Sequence, residues 1–156
     1  MCEAFQITAA ERPDDVALRT IADGVSITWG EYSARVKRLA GALAALGVGA
    51  GDTVGFMLTN RPEFHLLDTA AMHLGATPFS IYNTCSPEQI AYLLEDAANR
   101  VMIVEAAFMD RVGPVLSGGH GSVEHLVVLD GATSDSITLE ELETAQPPGG
   151  FDFEAS

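Results

Sequence analysis

The sequence predicts an α/β fold: a largely parallel, doubly wound sheet with helices on both faces, preceded by a small N-terminal β-hairpin. Short apolar runs alternate along the chain with segments of helical periodicity. Each run is nearly continuous in apolar residues, as strands covered on both faces must be. The third observation is capping chemistry, a Thr or Ser followed three residues later by Glu or Gln, at the start of several helical segments. With 156 residues, 47% of them hydrophobic, the chain is long enough to enclose one core.

The hairpin comes first. "VALRTI" (16–21) and "SITW" (26–29) flank "ADGV", where Asp23-Gly24 is a strong turn signal. Thr28 and Glu31 form a capping box for the next helix. There Tyr32, Val36, Leu39, Ala40, Leu43 and Leu46 share one face, and Gly47 ends it. "DTVGFML" (52–58) reads as a buried strand. Asn60 is placed to cap the helix after it, and Pro62 suits the first helical turn. That helix, "EFHLLDTAAMHLGA", is apolar around most of its circumference, so it needs cover on more than one side.

"TPFSIY" (77–82) is the next strand, and Ser86 with Gln89 boxes the helix "PEQIAYLLEDAA". "RVMIVE" (100–105) and "HLVVLD" (125–130) are two more strands, separated by a short helix around 108–116 and the glycine-rich connection "LSGGHGS". Thr138 and Glu141 box a last short helix. "QPPGGFDFEAS" is Pro/Gly-rich, which divides the chain into a domain over 1–145 and an exit linker over 146–156. Crossovers between parallel strands are expected to be right-handed. Ligands of such sheets bind at the carboxyl ends of the strands, here "TNRP", "YNTCSP", "EAAF" and "DGATS".

Composition narrows the functional classes. The net charge is −14, and from Val112 onward there are eight acids and no Lys or Arg. Such a surface repels nucleic acid and anionic lipid, so no nucleic-acid partner is expected. No run reaches the ~18 apolar residues of a membrane helix, so no transmembrane segment is expected. The N-terminus lacks the basic start and apolar core of a signal peptide, and a cytoplasmic location follows as the expectation. Cys2 and Cys85 cannot build a disulfide framework, and His65, His73, His120 and His125 lack ligand spacing, so no metal site and no catalytic residue is expected.

The most suggestive string is "GVGAGD" (47–52). A phosphate-cradling turn must follow a strand and open a helix, because the helix N-terminus supplies the N–H groups and the positive dipole end. This string follows a helix and enters a strand, so it reads as a helix stop and a tight turn.

"TWGEY", "LGVGAGDTVGFMLTNRPEF" and "LGATPFSIYNTCSPEQIAYLLED", in that order and spacing, resemble the N-terminal region of the adenylate-forming acyl-CoA synthetases. The resemblance runs from about Arg12 to Asp130, and "IYNTCSPEQIAYLL" is most similar to the long-chain fatty acid–CoA ligase branch. It implies that this chain is part of the large AMP-binding domain. It also implies a parent reaction in which a carboxylate attacks the α-phosphate of ATP and CoA thiolate then displaces AMP. ATP, Mg and CoA are thus implied for the parent, and no cofactor for this chain. The family's phosphate loop and its later motifs lie downstream of the matching region and are absent, so the chain alone is expected to be inactive. In relatives the loop matching "YNTCSP" borders the channel for the pantetheine arm of CoA, which makes Tyr82, Asn83 and Thr84 candidates for its wall.

Three functions stay open at this point. The chain is the N-terminal part of a fatty acid–CoA ligase whose partner is the C-terminal remainder; or a non-catalytic module that self-associates or complements that remainder; or an independent small domain holding a nucleotide or acyl ligand at its strand ends. The second expects the apolar faces of the sheet and of helix 63–75 to leave a large exposed apolar patch.

Overall fold

The computed structural model describes residues 1–21, 24–144 and 152–153. A helix without a sequence signal opens it: α1 (Cys2–Glu11) has no side-chain cap and buries fully only Ala9. β1 (Val16–Arg19) and β2 (Ser26–Thr28) form the expected antiparallel ribbon. Asp23 of its turn lies outside the described residues, but Thr20 N–H donates to Val25 O at 3.0 Å. α2 (Trp29–Ala45) begins at the expected box, with Glu31 N–H on Thr28 Oγ1 and Thr28 N–H on Glu31 Oε2.

β3 (Thr53–Met57), α3 (Pro62–His73), β4 (Thr77–Ser80), α4 (Pro87–Ala97), β5 (Val101–Glu105), α5 (Met109–Ser117), β6 (His125–Leu129), β7 (Ser136–Thr138) and α6 (Leu139–Thr144) follow. The box of Ser86 and Gln89 is formed, as is that of Thr138 and Glu141. Two local expectations fail. Arg61, not Asn60, is the residue before the first turn of α3, and it gives no side-chain cap. β4 ends at Ser80 rather than Tyr82, because the chain turns outward once Ile81 N–H has bonded to Phe56 O at 2.8 Å.

Five strands form one all-parallel sheet in the order β4-β3-β5-β6-β7, the last of them not anticipated. Strand alternation divides the core. Val54, Phe56, Val101, Ile103, Val127 and Leu129 face α2, α3 and α6. Met57, Met102 and Val104 face α4 and α5. Gly55 shares this second face, where an added Cβ would come within 2.7 Å of Met102 Sδ, so the site admits no larger residue without movement. On edge strand β4, Thr77 N–H and Ile81 N–H point to β3. Pro78, with no N–H, therefore occupies an outward position and blunts the open edge.

The apolar patch expected on helix 63–75 is not there. No residue of α3 is exposed, because α1 and α2 cover it. Phe5 of α1 is the wedge, meeting Trp29 at 5.9 Å and Tyr32 at 5.0 Å, ring edge to ring face.

Candidate functional site

β3 and β5 lie side by side but send their following helices to opposite faces, α3 to one and α5 to the other. That reversal opens a crevice beyond their carboxyl ends, where open parallel sheets bind ligands. Here the crevice is crossed by an ion-pair network. Glu105, the last residue of β5, is 7% exposed. Its Oε1 accepts from Thr59 N–H at 3.2 Å, Thr59 Oγ1 at 2.6 Å and Arg61 Nη1 at 3.2 Å. Arg61 also donates through Nε to Glu63 at 2.7 Å, and through Nη1 and Nη2 to Asp130 beyond β6.

The electrostatics follow from that geometry. Hydrogen bonding to Asp130 is the chief cause that lifts Arg61 above the ordinary arginine range. The same bond holds Asp130 below the ordinary aspartate range. Burial, the largest single effect, would raise Glu63, but the bond to Arg61, a backbone hydrogen bond and the charges of Arg61 and Arg35 together outweigh it and hold Glu63 low. One cation thus ties together the ends of β3, β5 and β6. Each of these residues sits at a strand end legible in the sequence, but nothing local announced that they meet.

Beside this network lies a groove of about 380 Å³ between the loops after β3 and β4. Leu58, Phe64 and Ile81 make its apolar part, and Thr59, Asn60, Ser80 and Asn83 its polar part. Tyr82 borders it and is 80% exposed, with its carbonyl oxygen accepting from Cys85 N–H at 3.0 Å. Of the three loop residues singled out in the sequence, Tyr82 and Asn83 line the groove; Thr84 is exposed in the same turn.

The glycine string lies at the opposite end of the sheet. Gly47 has φ +84°, and the N–H groups of Val48 and Gly47 bond to the carbonyls of Leu43 and Ala44, closing α2 in a Schellman motif. Gly49 N–H donates to Asp52 Oδ2 at 2.8 Å, so this turn satisfies its donor with the chain's own carboxylate.

The donors present do not fit a nucleoside triphosphate with its magnesium. Among the described residues, Arg61 is the one cation of the crevice network and is shared by three carboxylates, which leaves that cluster net negative. Among the described residues no group of three His, Cys, Asp or Glu side chains is placed to hold a metal ion. No described helix is long and apolar enough to cross a membrane.

Residues 5–151 match the AMP-binding enzyme family. The protein Rv1549 of Mycobacterium tuberculosis is 48% identical over 132 residues, 85% of this chain and 73% of that protein. The 3-hydroxybenzoate–CoA ligase of Aromatoleum sp. is 30% identical over 78% of this chain, and the long-chain-fatty-acid–CoA ligase FadD15 of Mycobacterium bovis is 30% identical over 80%. The chain spans only 23% and 21% of the length of these two ligases. The structure of the anthranilate CoA ligase AuaEII superposes with a TM-score of 0.86 at 24% identity, over 94% of this chain and 28% of that one. The sheet order, its flanking helices and the leading ribbon are those of the N-terminal region of such ligases, and this chain belongs to the AMP-binding enzyme family.

Proposed function

We propose that this chain supplies the N-terminal part of the large AMP-binding domain of an acyl-CoA ligase, and that it does not adenylate a carboxylate by itself. One observation carries the proposal: about four fifths of the chain corresponds to about a fifth of the length of curated ligases. Adenylation depends on preorganised charges at the transferring phosphate, typically the largest catalytic contribution. The crevice described above engages its cation, Arg61, with three carboxylates, and ATP and Mg are assigned to the remainder of the enzyme.

At equal identity the ligase relatives act on an aryl acid and on long-chain fatty acids. We take a long-chain fatty acid as the substrate class, on the strength of "IYNTCSPEQIAYLL". The groove lined by Tyr82 and Asn83, with Thr84 in the same turn, is assigned to the pantetheine arm of CoA. Asn60, Ser80 and Asn83 share this groove with Leu58 and Phe64, a polar and apolar lining that matches an arm alternating amides with methylenes. The partner is the C-terminal remainder, docked on the carboxyl-end rim, where Tyr82 is exposed.

The test is ATP–pyrophosphate exchange with long-chain fatty acids, run on the chain alone and mixed with a separately expressed remainder. No exchange alone and exchange on mixing is the expected result; exchange by the chain alone overturns the proposal. In the reconstituted enzyme Tyr82→Ala should raise KM for CoA several-fold and leave exchange unchanged.

A second reading, the non-catalytic module, is favoured by the extent of the match to Rv1549, 73% of that protein. The cover that α1 and α2 give α3 counts against self-association through that helix, which leaves binding to the remainder as the form of this reading to test. Binding to the remainder without gain of exchange would select it.

A further inference from the structure

Both ends of the described chain meet over one buried histidine. His73, the last residue of α3, is 3% exposed. Its Nδ1 lies 2.8 Å from Thr69 O, so that nitrogen carries the proton and donates. Nε2 is buried with no hydrogen-bond partner among the described residues. One face of the ring stacks on Phe153 at 4.5 Å, and Phe5 of α1 meets it edge-on at 5.4 Å. Gln6 of α1 donates from Nε2 to Phe153 O at 2.8 Å. α1 and the segment 152–153 thus hold one another, with the imidazole beneath both.

We propose that His73 is a proton-operated latch: a proton taken up at Nε2 releases Phe153 and α1 together from the α2–α3 face. The neutral ring suits its aromatic surroundings, whereas the cation would carry a second N–H with no acceptor in reach. Stacking on Phe153 offers the cation some attraction, but an unpaired buried donor opposes it.

The neighbouring charged and titratable groups add to the opposition. The α-amino group of Met1, at the start of α1, repels a cation at His73. Lys37 of α2 already holds its ammonium 5.9 Å from the centre of the Phe153 ring. Tyr32 of α2 has its hydroxyl engaged by Thr69 Oγ1 and His65 O, so it does not serve Nε2. Asp152 is the one carboxylate on the latch segment within the described residues.

Burial sets the imidazole below the ordinary histidine range, against the opposing Thr69 bond. The unfolded chain binds this proton near pH 6.5, so closure is fully stabilised above about that pH and weakens as pH falls through the lower folded value.

Hydrogen exchange of the α1 amides in the full chain tests this, at about pH 7.5 and pH 5 with correction for intrinsic rate. Protection of α1 should fall at least about tenfold at the lower pH in the parent chain and stay constant in His73→Phe, which keeps an aromatic ring and cannot titrate. Constant protection in the parent, or an equal fall in His73→Phe, overturns the latch. Should His73→Phe not fold, NMR titration of the parent decides. A His73 midpoint below those of the other three histidines, with simultaneous loss of Phe153 ring-current shifts, supports the latch. A midpoint at the ordinary value, or unmoved Phe153 signals, overturns it.

Discussion

Glu105 keeps its carboxylate nearly out of solvent because Thr59 supplies two donors and Arg61 a third. Removing that carboxylate leaves Arg61 and the Thr59 hydroxyl without their shared acceptor. Glu105→Ala should therefore cost about 3 kcal/mol in urea unfolding, the size expected when a buried ion pair loses one member. The same network predicts an acid limb. Asp130 and Glu63 bind protons less readily folded than unfolded, so their stabilisation is complete above the ordinary carboxylate values and is lost as pH falls through the lower folded ones. The stability difference between the parent and Arg61→Met should be constant above about pH 5 and shrink below about pH 4. An unchanged difference at low pH would contradict the network. None of this was legible residue by residue: "TNRP", "EAAF" and "DGATS" each showed a strand end, but the contact between them exists only across the sheet.

Gly47 shows how far local chemistry carries at the scale of an element. A helix of fixed phase followed by glycine and an apolar residue specifies a left-handed stop, and the two bonds of the Schellman motif are formed as that pattern requires. Gly47→Ala should lower stability by about 1 kcal/mol or more, because φ is +84° and Arg100 Nη1 stands 3.0 Å from the added methyl position. Thermal unfolding would check it. Three capping boxes were equally readable. The tripeptide Ser-Ile-Thr marks the limit. It occurs at 26–28 and at 136–138, each time ahead of a boxed helix, yet pairs antiparallel with β1 in one place and parallel with β6 in the other. Three residues carry no partner, so β7 was missed. α1 escaped for a related reason: it has no cap and no clear apolar stripe, and its stability comes from Phe5 wedging among rings of α2 and α3.

For the whole molecule, the sheet class and the order of most elements followed from alternating periodicity, while the cover over α3 did not, since it depends on α1. Deleting residues 1–12 should uncover that face. The truncated chain is expected to bind an apolar dye and to self-associate in light scattering, where the parent does neither. A monomeric, dye-free truncation would show that α2 suffices. The all-parallel order also bears on how the chain reaches this state during synthesis. β3, an interior strand, pairs Val54 with Val101, so its second partner emerges nearly fifty residues later. At the usual ~5–20 residues per second of translation, "VGFM" waits roughly 2–10 s with one edge open. Over that interval the nascent chain is a target for holding chaperones, and its yield in cells should depend on them more than on the final stability of the sheet.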